Sequence, residues 1–448
     1  MASPTCTLDV WKRLAKELVF KMTYAELMAA NCVMVNAGSG VLVSAMSQDY
    51  SYVLTARHAL EDHNVLTDHR GQPIRIIDVH RHPDAAHDEK YDCAVIQVEY
   101  VPDIKQSSLP AGSLEARAFL SLAGFPTLDR KGESPIKHYD GHLTSVAEDL
   151  MVFTVDGIPG HDSIVGMSGG GVYCLYDNHP YLVGVEFRMD RDTPEQQYGR
   201  VQCHGLNRFE EIIQAKKLAH MVPCFLECFS RLKNEIFSFN VISPQNVQKL
   251  QEKLGALADV LIAGGLPAPY ELMVKYQRSL LVTTELPGAM QDKQLWVAYF
   301  EFVIICALVD GAPVLDEAYL EALERRRRFL YSSSSENWLR NLPEILRSAR
   351  HMLDAKGTMV VASPQEDARE LPEDSHLEYV LDDIGSVPTS GSMLRIDNIN
   401  DPVYKTYTVT HMKGLRNKYV VLKEWEYGKA MPSAQLNIFR EYYNEVIK

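Results

Sequence analysis

The sequence predicts an all-β N-terminal half followed by a mainly α C-terminal domain with a small α+β tail. Three observations predict it. Between about residues 25 and 220, apolar residues alternate with period two in short runs bounded by turn residues, as packed antiparallel barrels require. From Pro244 onward the apolar period lengthens to that of amphipathic helices. Strand-like runs at 404–410 and 419–422 then return before a last helix near 433–447.

Taken in order, residues 8–30 read as an amphipathic helix preceding the first strand. Gly38-Ser39-Gly40-Val41-Leu42-Val43 and Tyr52-Val53-Leu54-Thr55 form the apolar strands of a hairpin. His58 follows the second of these at once, so a rigid element holds its imidazole. Asp92 directly precedes Cys93-Ala94-Val95-Ile96-Gln97-Val98, another apolar strand, which predicts a largely buried carboxylate. Ser168 lies in Gly166-Met167-Ser168-Gly169-Gly170-Gly171, where glycines permit a tight turn and let a substrate carbonyl approach the backbone.

These three settings hold a histidine, an aspartate and a serine in that chain order, 34 and 76 positions apart. A glycine-flanked serine alone is most often a turn, and a histidine after an apolar run is most often a core or surface residue. Their conjunction in one order is much harder to reach by chance. His…Asp…Ser is one of three chain orders known for the hydrolytic triad. Val79-His80-Arg81-His82-Pro83-Asp84, Leu122-Ala123-Gly124-Phe125-Pro126 and Tyr181-Leu182-Val183-Gly184-Val185 add further marks.

On these residues the N-terminal half resembles the trypsin-like (chymotrypsin-fold) serine proteases. The resemblance implies a double six-stranded antiparallel barrel and a serine endopeptidase with catalytic His58, Asp92 and Ser168. It implies an oxyanion hole formed by the N–H groups of Gly166 and Ser168. Six residues before the nucleophile, Asp162, followed by Ser163, stands where trypsin carries the carboxylate of its substrate pocket, implying cleavage after arginine or lysine. A plain polar turn at Gly160-His161-Asp162-Ser163 is the competing reading. Arg188, on the strand expected to wall the pocket, could neutralise Asp162. Two departures matter. Met167 replaces the aspartate that pairs with a new amino terminus in cleavage-activated members, and a helix precedes the first strand, so activation by N-terminal clipping is not expected.

A net charge of −14 argues against a nucleic-acid protein held by a general positive field. The eight cysteines, at 6, 32, 93, 174, 203, 224, 228 and 306, lack both disulfide-framework density and paired metal-ligand spacing. They predict free thiols in a reducing compartment. Charged residues interrupt the first 22 positions, so no secretory signal is read. The most apolar segment, 295–309, is too short to span a bilayer and contains Glu301. The expectation is a cytoplasmic protein with no membrane partner. His58, His63, His69, His80, His82 and His87 are dense but lack diagnostic carboxylates, so they read as solvated loop histidines; no metal and no cofactor are expected.

The predicted domains are an N-terminal helical extension (1–24), the protease domain (25–220), a helical domain (221–361), an acidic loop (362–376) and an α+β tail packed on the helical domain (377–448). Helices are expected at 209–232, 244–262, 269–284, 294–309, 316–331 and 338–353. In 244–262, Val247, Leu250, Leu254, Leu257, Val260 and Leu261 share one face. Arg325 to Arg328 are placed at a helix C-terminus, where the macrodipole favours cations, with Glu321 and Glu324 as partners; the rival reading is a basic patch. The C-terminal half carries no catalytic constellation. Its arrangement resembles the effector-associated domain of bacterial defence systems of the ABC-three-component kind, which implies an anti-phage effector whose C-terminal half meets a regulatory partner protein. The alternative function is a catalytically silent adaptor on a protease fold.

Overall fold

In the computed structural model the chain divides into two compact units, Met1–Cys224 and Phe225–Lys448. The structure describes residues 23–447 except 87–88, 103, 158–160, 177–178, 190–198, 283–284, 286, 334–337, 350–352, 355 and 365–406. Most of the expected N-terminal extension, nearly all of the acidic loop and the first part of the tail lie outside the described residues.

The N-terminal unit begins with α1 (Tyr24–Ala30), which Thr23 and Glu26 start with reciprocal capping hydrogen bonds. Seven strands follow: β1 (Cys32–Val35), β2 (Gly38–Val43), β3 (Tyr50–Thr55), β4 (Leu66–Thr67), β5 (Pro73–Ile74), β6 (Ile76–Arg81) and β7 (Ala94–Glu99). They form one antiparallel sheet in the order β5-β4-β1-β2-β3-β7-β6. Val33, Val35, Val53, Ile96 and Val98 fill part of its interior, as their period-two spacing requires.

The second sheet is built from β8 (Ser107–Ser108), β9 (Phe119–Gly124), β10 (Lys137–Ala147), β11 (Leu150–Val155), β12 (Gly171–Tyr176), β13 (His179–Met189) and β14 (Arg200–Gly205). Its order is β12-β9-β10-β11-β14-β13-β8, and β12 also pairs with β13. That extra pairing closes six strands into a barrel; only the two-residue β8 joins in parallel. Leu120, Leu122, Met151, Phe153, Val172 and Val183 pack its interior. A short helix, α2 (His161–Ile164), precedes the Ser168 turn, and α3 (Leu206–Lys216) follows the last strand. The chain does not continue as one helix to 232. Lys217 caps α3 in the left-handed conformation, and the chain beyond makes only short 3₁₀ turns at Cys224–Leu226 and Phe229–Leu232.

The C-terminal unit contains α4 (Gln248–Ala263), α5 (Pro269–Tyr276), α6 (Lys293–Asp310), α7 (Glu317–Arg326), α8 (Leu342–Ala349), α9 (Met412–Arg416), α10 (Glu424–Lys429) and α11 (Gln435–Val446). Helix α6 is apolar nearly all round and packs against α4 and α11. Its one buried carboxylate, Glu301, is ion-paired with Arg416 and accepts the Phe237 N–H. On α4, Leu250, Leu254 and Leu261 are buried as expected, whereas Val260 is 58% exposed and belongs to the opposite face.

Three strands run parallel in the order β15 (Arg327–Tyr331), β16 (Thr358–Ala362) and β17 (Thr408–His411). This corrects the helix expected over 316–331. It also moves Arg327 and Arg328 from a helix end into a buried strand. Arg327 pairs with Asp310 at 2.8 Å, and Arg328 reaches Glu324 at 3.5 Å and the Ser279 carbonyl. Propensity at these arginines favours helix, but the carboxylates of Asp310 and Glu324 and five registered pairs with β16 favour the strand. The strand expected at 419–422 is instead helical, Asn417–Val421. No helix among the described residues is long and apolar enough to cross a membrane.

Candidate active site

Within the N-terminal unit, His58 and Asp92 come from the first barrel and Ser168 from the second. Strand β3 delivers His58 through a 3₁₀ turn, Arg57–Ala59, and Asp92 stands two residues ahead of β7. Because β3 and β7 are paired antiparallel up to Thr55↔Ala94, the residues just past their ends are forced together. His58 Nδ1 lies 2.6 Å from Asp92 Oδ2, and the His58 backbone N–H donates to Oδ1 at 3.0 Å.

Burial alone would raise the Asp92 carboxyl. The His58 side-chain hydrogen bond, its charge, the His58 backbone N–H and nearby Arg57 outweigh that and hold the group below the usual carboxylate range. An ionised carboxylate can only accept, so Nδ1 carries the proton and leaves Nε2 as the free acceptor.

Ser168 shares one cleft of about 500 Å³ with His58, Gly166 and the β13 residues Glu186 to Met189. Its turn needs glycine at two places. Gly169 has φ +95°, and a Cβ there would sit 1.8 Å from the Ser39 carbonyl oxygen; Gly166 has φ +93° and would meet Arg130 and Thr127. The turn's amide groups divide in a telling way. Met167, Gly169 and Gly170 donate to the carbonyls of Ile164, Glu186 and Met167. The Val165 carbonyl accepts from Thr127 N–H at 2.7 Å. In a trans peptide the C=O and N–H point oppositely, so the Gly166 N–H points away from Thr127. Among the described residues, the Gly166 and Ser168 N–H groups donate to no other backbone carbonyl.

Two residues that no sequence motif singles out brace this turn. Ser39, fully buried on β2, donates to the Gly166 carbonyl at 2.7 Å and accepts the Phe125 N–H at 2.8 Å. Arg130 donates to the carbonyls of Ala37, Phe125 and Gly166. Met167 is fully buried in the second barrel's core, in keeping with the absence of an ion pair at that position. Nothing in Arg130's local sequence marks it; only the fold brings it to Gly166.

Asp162 and Ser163 stand on α2. Asp162 is exposed, and neither residue lines the cleft that holds Ser168. Glu186 does line it and is 1% exposed. Burial first, then the charge of Asp92, push its carboxyl up to about 8, against a partial offset from a hydrogen bond with Ser168. On the next residue of β13, Phe187, the His204 ring stacks at 4.0 Å, and burial drives that imidazole down to about 4, so it is neutral. Arg188 donates to Gln202 at 2.9 Å and lies over the Phe187 ring.

His80 and His82 are buried rather than solvated, bonded to Gln97 at 2.8 Å and Glu211 at 2.9 Å. No group of three or more metal-ligating side chains occurs among the described residues.

Two barrels that bring His58, bonded to Asp92, and Ser168 to one cleft define a trypsin-like serine protease fold in the N-terminal half. Among solved structures the chain is similar to kallikrein-related peptidase 10 (18% identity, TM-score 0.34, covering 43% of this chain and 97% of that one), which was also solved as a complex with Zn2+. It is likewise similar to neuropsin, a serine protease expressed in the limbic system of mouse brain (15% identity, TM-score 0.34, covering 43% and 96%). The family model for C-terminal domain 4 of the ABC-three component (ABC-3C) systems matches residues 203–421. No curated protein matches the chain by sequence.

Proposed function

We propose that the chain is a serine endopeptidase, cleaving protein substrates after arginine or lysine, that acts as an anti-phage effector of a defence system. The observation that carries the hydrolytic reading is the fixed His58–Asp92 pair in the cleft of Ser168. In this mechanism His58 Nε2 takes the Ser168 proton as Oγ bonds to the scissile carbonyl carbon. The Gly166 and Ser168 N–H groups hold the oxyanion, and the leaving amine departs with the proton from His58. Water then attacks the acyl-enzyme, giving a proton to His58, and Ser168 is released with the acid product. Asp92 keeps the imidazole in one tautomer and stabilises its cation.

The match of residues 203–421 to an ABC-3C domain supports a partner protein of such a system as the regulator, acting through the C-terminal half. A helical half without a catalytic constellation fits that role. The absence of a clipping device at Met167 leaves control of the site to such a partner.

The test is labelling of the purified full chain with a fluorophosphonate, beside Ser168→Ala. Labelling that disappears in the variant supports the peptidase. A folded chain that stays unlabelled, alone and with the partner of its system, refutes it in favour of a silent adaptor.

A further inference from the structure

Two acidic groups that the hydrolytic steps do not use line the cleft, Glu61 and Glu186; Glu61 is exposed to solvent, and Glu186 is buried. Glu186 sits on β13, and its backbone is tied to the nucleophile turn: its N–H donates to Gly170 at 2.9 Å and its carbonyl accepts from Gly169 at 2.7 Å. Those bonds fix the side chain beside Ser168, whose hydroxyl it hydrogen-bonds. A register shift between Glu186 and Arg188 marks a bulge here, the device by which a strand re-aims a side chain next to a functional site.

Oε2 of Glu186 is buried and has no hydrogen-bond partner among the described residues. A buried carboxyl oxygen left unmatched is a standing penalty that calls for an explanation, and one is a ligand that supplies the missing donor. The groups that act on it are Asp92, Ser168 and Cys203; His204 stands next to Cys203 on β14, and Arg188, two residues along β13, bonds Gln202 and lies over the Phe187 ring. Asp92 is anionic, Ser168 and Cys203 are uncharged, and the His204 imidazole is neutral, so none of these four offsets a charge on Glu186. The same cleft offers the buried Ile164 and the aliphatic side chain of Val165 to cover a long side chain's methylenes.

We propose that Glu186, rather than Asp162, forms the floor of the subsite for the residue before the scissile bond and selects arginine or lysine there. The entering cation donates to the open Oε2 and draws the carboxyl into a charge-assisted pair. This assignment rests on the peptidase reading above and names its specificity residue.

The test uses the full chain with peptides that differ only in arginine, lysine, glutamine or leucine before the scissile bond. It adds calorimetric binding of benzamidine, an aryl amidine that needs no turnover. In Glu186→Gln the arginine-to-leucine ratio of kcat/KM falls roughly 10- to 100-fold and benzamidine weakens by a similar factor, the scale of a hydrogen bond to a charged group. Glu186→Asp, which keeps the charge, retains part of both. Asp162→Asn leaves both as in the parent chain. A ratio and an affinity unmoved in Glu186→Gln, or lost in Asp162→Asn, overturn the assignment. A chain labelled by fluorophosphonate but indifferent to arginine overturns this assignment alone. A chain that is not labelled yet binds benzamidine through Glu186 overturns the peptidase and keeps the subsite. A chain that does neither overturns both.

Discussion

Replacing Glu186 by glutamine should remove a pH dependence from the stability of the N-terminal unit. The folded carboxyl is pushed up to about 8, while an unfolded glutamate titrates near 4.5. Between those values the folded chain holds a proton that the unfolded chain has released, so stability falls as pH rises and levels off above about 8. Each decade of proton concentration is worth about 1.4 kcal/mol. From about pH 6 to pH 8 the penalty therefore grows by about 3 kcal/mol, and over the whole window it reaches roughly 5 kcal/mol. Glutamine has the same shape and no proton to lose. Asp92, Ser168, Cys203, His204 and Arg188, the neighbours on the surrounding strands and turn, remain in both chains, so their own titrations largely cancel in the comparison.

The chain has two units, so a readout confined to the first is needed. Cys93 and Cys203 are free, fully buried and both in the N-terminal unit. Pulsed maleimide labelling of these two thiols along a urea series, at about pH 6 and about pH 8.5, gives the midpoint for that unit alone. The parent chain should lose about 3 kcal/mol relative to Glu186→Gln between the two conditions. Equal losses in both chains would refute the burial argument, because they would mean that Glu186 is already ionised at pH 6.

Three other changes have defined outcomes. Asp92→Asn puts an amide where only an acceptor holds the His58 tautomer, and fluorophosphonate labelling should slow by roughly 10⁴-fold without unfolding the chain. Arg130→Met frees the carbonyls of Ala37, Phe125 and Gly166; labelling should slow by roughly 100-fold, with Arg130→Lys recovering part of it, as expected for a positioning residue behind the oxyanion donors. Arg327→Met strips the buried partner of Asp310 and should cost the C-terminal unit about 3 kcal/mol in urea denaturation followed by fluorescence, where the buried Trp296 and Trp338 report.

Much of the site was legible because its members sit in strongly marked local sequences. An apolar strand must precede His58, another must follow Asp92, and a run of glycines must surround Ser168. Each constraint acts over a few residues, so composition and periodicity reveal it. The same logic exposed most helices of the second unit, whose apolar faces repeat within a single element.

What remained hidden depends on residues far apart in the chain. Arg327 and Arg328 look like a helix end because their neighbours are good helix formers; they become strand because β16, with Asp310, Glu324 and the Ser279 carbonyl, offers paired backbone and buried acceptors. Parallel pairing of β15, β16 and β17 joins segments separated by long stretches of chain, and no local period announces it. Asp162 and Glu186 differ in the same way. Sequence distance to Ser168 favours Asp162, six residues away, yet it is exposed on α2. Glu186, 18 residues further along, is carried back by the β12–β13 pairing and its bonds to Gly169 and Gly170. The sequence by itself determined the order of His58, Asp92 and Ser168 and the strands that hold them, because local sterics and alternation decide both. Only the tertiary structure decided which buried acid lies in the cleft of Ser168 and which cation braces the Gly166 turn, because a side chain's partners across a sheet are set by register and closure, not by neighbours in the chain.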